Sequence, residues 1–236
     1  KIIDLEKVSF DYTDKDLKRN KLRLVKKSNL YYFNGDEFNA NYLIEDMLNS
    51  DNKNDLDFIN RNFDLKIDIK KVHIDNENQL KNLLGNLSFK NNKILKADID
   101  AFFLDQKKMK FTVNTKDNDK VTTLFLDRAE PFVKRYKFIK GFKNGSLDFY
   151  SVSKEDKSNS TLKIYDFNLR ELPILTKILT LASLQGIADI LSGEGITFDE
   201  FEMNFRNEKK GITFDEIYAI GPAISILMDG YYIKND

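Results

Sequence analysis

Hydrophobic residues recur at every second position through long stretches of this chain, with charged or amide side chains between them. Phe63, Leu65, Ile67 and Ile69 alternate with Asp64, Lys66, Asp68 and Lys70. Leu95, Ala97, Ile99, Ala101 and Phe103 alternate with Lys96, Asp98, Asp100 and Phe102, and Met109, Phe111 and Val113 with Lys110, Thr112 and Asn114. Asn91-Asn92, Asp105-Gln106 and Asp117–Asp119 break these runs as turns. A period of two with short polar interruptions predicts an antiparallel meander with one wet face. Further strands are expected at Ile2–Phe10, Leu22–Phe33, Gly145–Ser153 and Thr161–Leu169.

A helical period replaces the alternation in three places. Asn39 is placed to cap a helix carrying Tyr42, Leu43, Met47 and Leu48 on one face. Pro131 suits the first turn of a short helix within Ala129–Ile139. Pro173 opens a helix bearing Ile174, Leu175, Ile178 and Leu179; Ser183 caps a second with Leu184, Ile187, Ala188 and Leu191, and Gly193 ends it. Leu181 and Ile190 widen the apolar arc of this hairpin. It either packs on a sheet or turns part of the arc toward a membrane or partner.

The hexapeptide Gly195–Glu200 returns unchanged as Gly211–Glu216. In both copies the apolar phase slips at the Asp-Glu pair, which predicts a β-bulge or sharp bend there. Gly221-Pro222 then breaks the pattern before Ile224, Ile226 and Met228 resume it.

Composition narrows the function classes. In 236 residues, Lys plus Arg balance Asp plus Glu at 38 each, and the pI is near 6.9. That argues against a nucleic-acid binder, which needs a basic excess. The basic stretch Lys15, Lys18, Arg19, Lys21, Arg23, Lys26 and Lys27 reads as a solvated strand and turn face, with an anionic partner or lipid headgroup as the alternative. Cysteine is absent, which removes disulfides and thiolate chemistry and suits an oxidising compartment. The chain starts at Lys1 and is expected to be the C-terminal fragment of a longer protein. No run reaches the ~18 uncharged apolar residues of a membrane-spanning helix. A single elongated β-rich domain is expected, with strands and a short helix over 1–55, the meander over 56–160, and the helical hairpin and terminal strands over 161–236.

Candidate chemistry is sparse. His73 is the sole histidine and sits in an alternating run, as an ordinary strand residue would. No zinc ligand set or nucleophile elbow accompanies it. Gly141–Gly145 lacks the spacing and Lys of a phosphate-binding loop. Asn49–Asp55 lacks the Gly and closing Glu of a calcium loop. No enzyme, metal or cofactor is expected. A sheet with one apolar face must close on itself, be covered by helices, or hold a hydrophobic ligand.

One ordered series of motifs points further. It comprises Leu162-Lys-Ile-Tyr-Asp-Phe167, Leu172-Pro-Ile-Leu175, Ala182-Ser-Leu-Gln-Gly-Ile187, Leu191-Ser-Gly-Glu-Gly-Ile-Thr-Phe198 and the late Gly221-Pro222. This series resembles the C-terminal region of AsmA-like proteins, most nearly the YhdP-like branch. Gly145-Ser-Leu-Asp-Phe149 fits less specifically. The resemblance implies a mainly β fold with a few helices (α+β): a long curved antiparallel sheet forming an open apolar groove, capped near the C-terminus by a helical hairpin. It further implies phospholipid transport between the inner and outer membranes of Gram-negative bacteria, by the periplasmic part of an inner-membrane-anchored protein. Leu65, Ile67, Ile69, Leu95, Ile99, Phe103, Phe111 and Val113 would then contact acyl chains. Ile174, Leu175, Ile178, Leu181, Leu184, Ile187 and Ile190 would cap the groove or touch a membrane. The expected partners are phospholipid and a membrane surface, with no nucleic acid. The competing expectation is a closed β-rich structural or interaction domain of an envelope assembly.

Overall fold

A computed structural model describes residues 6–49, 62–90, 93–135, 141–170 and 195–233. These residues form a mainly β fold: an open, mixed sheet of thirteen strands in chain order, β1 to β13, with two short helices. The chain divides into two compact units, Lys1–Thr115 and Lys116–Asp236. Among the described residues no helix is long and apolar enough to cross a membrane. The expected helical hairpin, with Ile174, Leu175, Ile178, Leu181, Leu184, Ile187 and Ile190, lies outside the described residues.

The first unit contains β1 (Lys7–Thr13), β2 (Arg19–Lys27), β3 (Leu30–Asn39), α1 (Asn41–Asn49), β4 (Phe63–His73), β5 (Gln79–Lys90), β6 (Lys93–Phe103) and β7 (Lys108–Lys116). The stretch Leu22–Phe33, expected as one strand, is a hairpin: the backbone turns at Ser28, which has φ 58°, and Lys27 faces Leu30. The sheet departs from the expected all-antiparallel pattern at β3 and β4, which run parallel with Leu30 opposite Asp64 and Asn39 opposite His73. Parallel neighbours need a connection of a dozen or more residues, and residues 40–62 supply it. A buried polar net anchors the start of that connection. Asp14 accepts from the side-chain amides of Asn20 (3.1 Å) and Asn39 (2.7 Å), and Asn39 Oδ1 accepts from the Asn41 amide at the start of α1 (3.1 Å).

The second unit contains β8 (Asp119–Leu126), α2 (Glu130–Val133), β9 (Phe142–Lys154), β10 (Lys157–Leu169), β11 (Ile196–Glu208), β12 (Gly211–Ile220) and β13 (Ser225–Ile233). The second hexapeptide copy behaves as its phase slip predicts, with a register shift between Phe214 and Ile217 that spans Asp215-Glu216. The first copy keeps its register with β10. There the irregular backbone lies across the ladder, at Asp166 (φ 52°), Asn144 (φ 63°) and Gly145 (φ 77°). Gly145 suits this left-handed backbone, and a Cβ there would be crowded as well as strained, 3.0 Å from Phe167 Cβ and 3.1 Å from the Tyr165 carbonyl oxygen. Beyond this line Phe142, Phe167 and Phe198 stack face to face, with centroids 5.2 and 5.3 Å apart.

Pro131 stands in the first turn of α2, as expected. Glu130 ties this turn to β9: its carboxylate meets Lys134 Nζ (2.5 Å) and Lys143 Nζ (3.1 Å) and accepts from the Asn144 amide (3.1 Å). Partial burial pushes its pKa up, but these three donors outweigh that and hold it at about 2. The folded-state value thus lies below the unfolded one. The stabilisation is complete above pH ~4.5 and is lost as pH falls toward about 2. Glu130→Gln should cost on the order of 2 kcal/mol at neutral pH and flatten the acid limb of a stability–pH curve. Urea titrations at pH 7 and pH 3 check this; an equal loss at both would refute it.

Candidate apolar binding face

Residues directly opposite one another in a ladder project from the same face of a sheet. In the first unit the register aligns Val8, Leu24, Phe33, Ile67, Gly85, Ile99 and Phe111 in one row across β1 to β7. The neighbouring row is Lys26, Tyr31, Leu65, Leu87, Ala97 and Val113. At ~4.8 Å between strands, the longer row is roughly 29 Å wide. It carries no charge. The rows that alternate with these face the other way and are largely polar: Val25, Tyr32, Lys66, Asn86, Asp98 and Thr112 form the one between them, and Arg23, Asn34, Asp68, Leu84, Asp100 and Lys110 the one on the far side of the longer row.

The structure brings Leu65, Ile67, Ile99, Phe111 and Val113 together in a single cluster with Leu87, Ala97, Phe89 and Ile94. Leu87, Ala97 and Val113 are buried, while the others are partly exposed and line the open side of the sheet. Ile69 lies next along the same face, opposite Gly35 and Leu83, and is 2% exposed. Leu95 falls where the β5–β6 register shifts between Ser88 and Phe89, so Ile94 rather than Leu95 faces Phe89 and joins the cluster. Phe103 pairs with Leu80 beyond a second shift, and both are 1% exposed. Phe103 is thus a fully packed side chain. Gly85 leaves a notch in the longer row, where a Cβ would stand 3.1 Å from Ile99 Cγ1.

The second unit repeats the arrangement with different residues. One row runs Leu126, Leu147, Ile164, Phe201, Ala219 and Ile226, and the next Leu124, Phe149, Leu162, Met203, Ile217 and Met228. A third turns polar at one side, where Ser160 Oγ donates to Ser151 Oγ (2.8 Å). The opposite face is a charged lattice. Glu202 meets Lys163 Nζ (2.6 Å) and accepts from Asn204 Nδ2 (2.8 Å) and the Tyr218 hydroxyl (2.9 Å). The hydrogen bond from Lys163 is the main reason its pKa lies below the usual carboxylate range. Arg206 forks onto Asp215.

On the charged face of the first unit, Asp36 bridges Lys21 (2.6 Å) and Lys70 (2.7 Å), and hydrogen bonds from those two ammonium groups bring its pKa down to about 2. Sequence reasoning missed the surroundings of His73. This side chain is buried, with Nε2 2.6 Å from Glu37 Oε1, and Lys71 Nζ reaches the same oxygen at 2.5 Å. Burial raises the Glu37 pKa, and the hydrogen bonds from His73 and Lys71 outweigh it, for a net lowering. The parallel β3–β4 register, invisible in a linear pattern, sets this cluster. Among the described residues, no group of three His, Asp or Glu side chains is placed to hold a metal ion.

In comparisons with protein-family models, curated proteins and solved structures, nothing matches the chain.

Proposed function

We propose that this chain is part of a non-enzymatic carrier of phospholipid between membranes, which holds acyl chains against the apolar rows of its sheet. The observation that carries this reading is the uncharged row from Val8 to Phe111, set on an open sheet whose other face is a lattice of ion pairs. A surface of this kind replaces water around a hydrocarbon chain at ~0.8 kcal/mol per methylene. It also lacks polar groups that would fix one position, so a chain is free to slide along it. The motif series from Leu162 to Pro222 supports membership of the AsmA-like family. With it go a location in the periplasm and a parent protein anchored in the inner membrane. The alternative, a closed β domain of an envelope assembly, fits an open sheet less well.

Native mass spectrometry of the chain purified from a bacterial host tests the proposal. Adducts with phospholipid masses are expected. A bare chain, unchanged after incubation with phospholipid vesicles, would refute it.

A further inference from the structure

The polar faces of the two units differ in which charges find partners. At mid-strand on the first unit, cations meet carboxylates: Asp36 bridges Lys21 and Lys70, and Lys110 meets Asp98 (3.1 Å) and Asp100 (3.3 Å). Toward the β2–β3 and β5–β6 hairpins the same face carries exposed Lys7, Lys27, Lys66, Lys90, Lys93 and Lys96. The register places them there. Lys7 and Lys66 lie in the row of Val25 and Tyr32, Lys27 and Lys96 in the row of Leu30, Asp64 and Ser88, and Lys90 opposite Lys93. None of these ammonium groups has an ion-pair partner among the described residues. The carboxylates in their rows are already engaged: Asp64 accepts from Ser88 Oγ (2.6 Å), and Lys110 occupies Asp98.

The second unit has the opposite imbalance. Asp148, Lys163, Glu202 and Tyr218 share a row of its polar face, and Glu216 lies opposite Asn204 in the next. Glu200 joins them through the Tyr218 hydroxyl (3.1 Å), which also serves Glu202. Asp229 projects to the same side, between Met228 and Gly230, which pair with apolar-face residues Ile217 and Phe214. The cations here are taken, Lys163 by Glu202 and Arg206 by Asp215. Glu216 and Asp229 are exposed and have no ion-pair partner among the described residues.

We propose that the lysine patch of the first unit docks on the carboxylate patch of the second unit of another copy of this chain. The two surfaces match in charge and in extent. The lysines span β1 to β6, roughly 24 Å at ~4.8 Å per strand, and the carboxylates β9 to β13, roughly 19 Å. Along the strands each patch covers about 13 Å. Both are crowded with like charge: Lys90 faces Lys93 across its hairpin, and Asp229 stands beside the register shift that holds Asp215 and Glu216. Like charges set against each other weaken a ladder, and a surface of opposite charge relieves that. Neighbouring charges in each patch lie within a Debye length, ~10 Å at 0.1 M salt, so they act jointly on a partner. Patches of this size cover less than the ~800 Å² per partner of a stable complex, so the contact is weak and dissolves in salt. Both lie on polar faces. Docking therefore leaves the apolar rows free, and the proposal stands apart from whether those rows carry lipid.

Sedimentation velocity of the chain at high protein concentration tests this. Association is expected at low ionic strength and should weaken at least tenfold in about 1 M salt, where the Debye length is ~3 Å. Two charge reversals dissect it. One combines Lys27→Glu, Lys90→Glu and Lys93→Glu; the other combines Glu216→Lys and Asp229→Lys. These side chains have no ion pair to lose among the described residues, so circular dichroism should match the parent chain. Should the triple reversal fail to fold, Lys90→Glu with Lys93→Glu replaces it. Each variant alone should associate at least tenfold more weakly than the parent. An equimolar mixture of the two should recover association to within about threefold, because the reversed patches again complement each other. A chain that stays monomeric at low salt, association unmoved by either reversal, or a mixture no tighter than its components would overturn the proposal. A monomeric chain that uses the same lysines to sediment with phosphatidylglycerol vesicles or duplex DNA would also overturn it, and would assign the patch to that partner.

Discussion

Replacing Ile67 by Asp is expected to lower phospholipid occupancy about 50-fold while leaving the sheet intact. Ile67 occupies the middle of the uncharged row, between Phe33 and Gly85, and is only partly buried. A carboxylate at this point keeps its water and holds an acyl chain away from the surface. Loss of contact with roughly three methylenes at ~0.8 kcal/mol each gives about 2.4 kcal/mol, hence the factor of 50. Lys66→Asp is the matched control. Its side chain belongs to the row of Tyr32 and Asn86 on the other face, so it adds the same carboxylate without touching the proposed lipid path. Native mass spectra of the two variants, with circular dichroism to verify folding, give the comparison. Equal occupancy in the two would place the lipid elsewhere.

Phe198→Ala should produce the largest loss of stability in the second unit. Phe198 is 1% exposed and ends the Phe142–Phe167–Phe198 stack. The strands beneath it are pinned by the positive-φ residues Asn144, Gly145 and Asp166, so the backbone has little freedom to collapse into the space. Large-to-small changes at such aromatic sites cost ~3–5 kcal/mol. That corresponds to a melting point lower by roughly 10–20 °C. Calorimetry of the variant measures it. A drop of only a few degrees would mean that the ladder relaxes, and that the stack matters less than its burial suggests.

The legibility of this fold varied with how local each signal is. Strands with one wet face declare themselves in a linear sequence, and the alternation of Phe63–Ile69 and Met109–Val113 translates directly into β4 and β7. β5 did not, because Leu83 and Leu84 are adjacent, Asn82 takes φ 51°, and the register shifts there. The β2–β3 turn was hidden for a similar reason: Ser28 and Asn29 make it without the Gly or Pro that usually mark a reversal. Pairing between distant segments left no periodic trace at all. The parallel β3–β4 ladder, and with it the Glu37–Lys71–His73 cluster, follows from register between strands separated by residues 40–62. The candidate face was legible at Leu65, Ile67, Ile99, Phe111 and Val113, which share one cluster. At Leu95 a bulge exchanged the inward residue for Ile94.

The central claim is that acyl chains lie on one face of each unit and not on the other, and in-cell photo-crosslinking tests it most directly. A benzophenone side chain is placed on the apolar rows at Leu65 and Leu162, and on the charged rows at Lys66 and Lys163. Phospholipid adducts at Leu65 and Leu162, with none at Lys66 and Lys163, are predicted. Adducts on both faces alike, or on neither, would contradict the account.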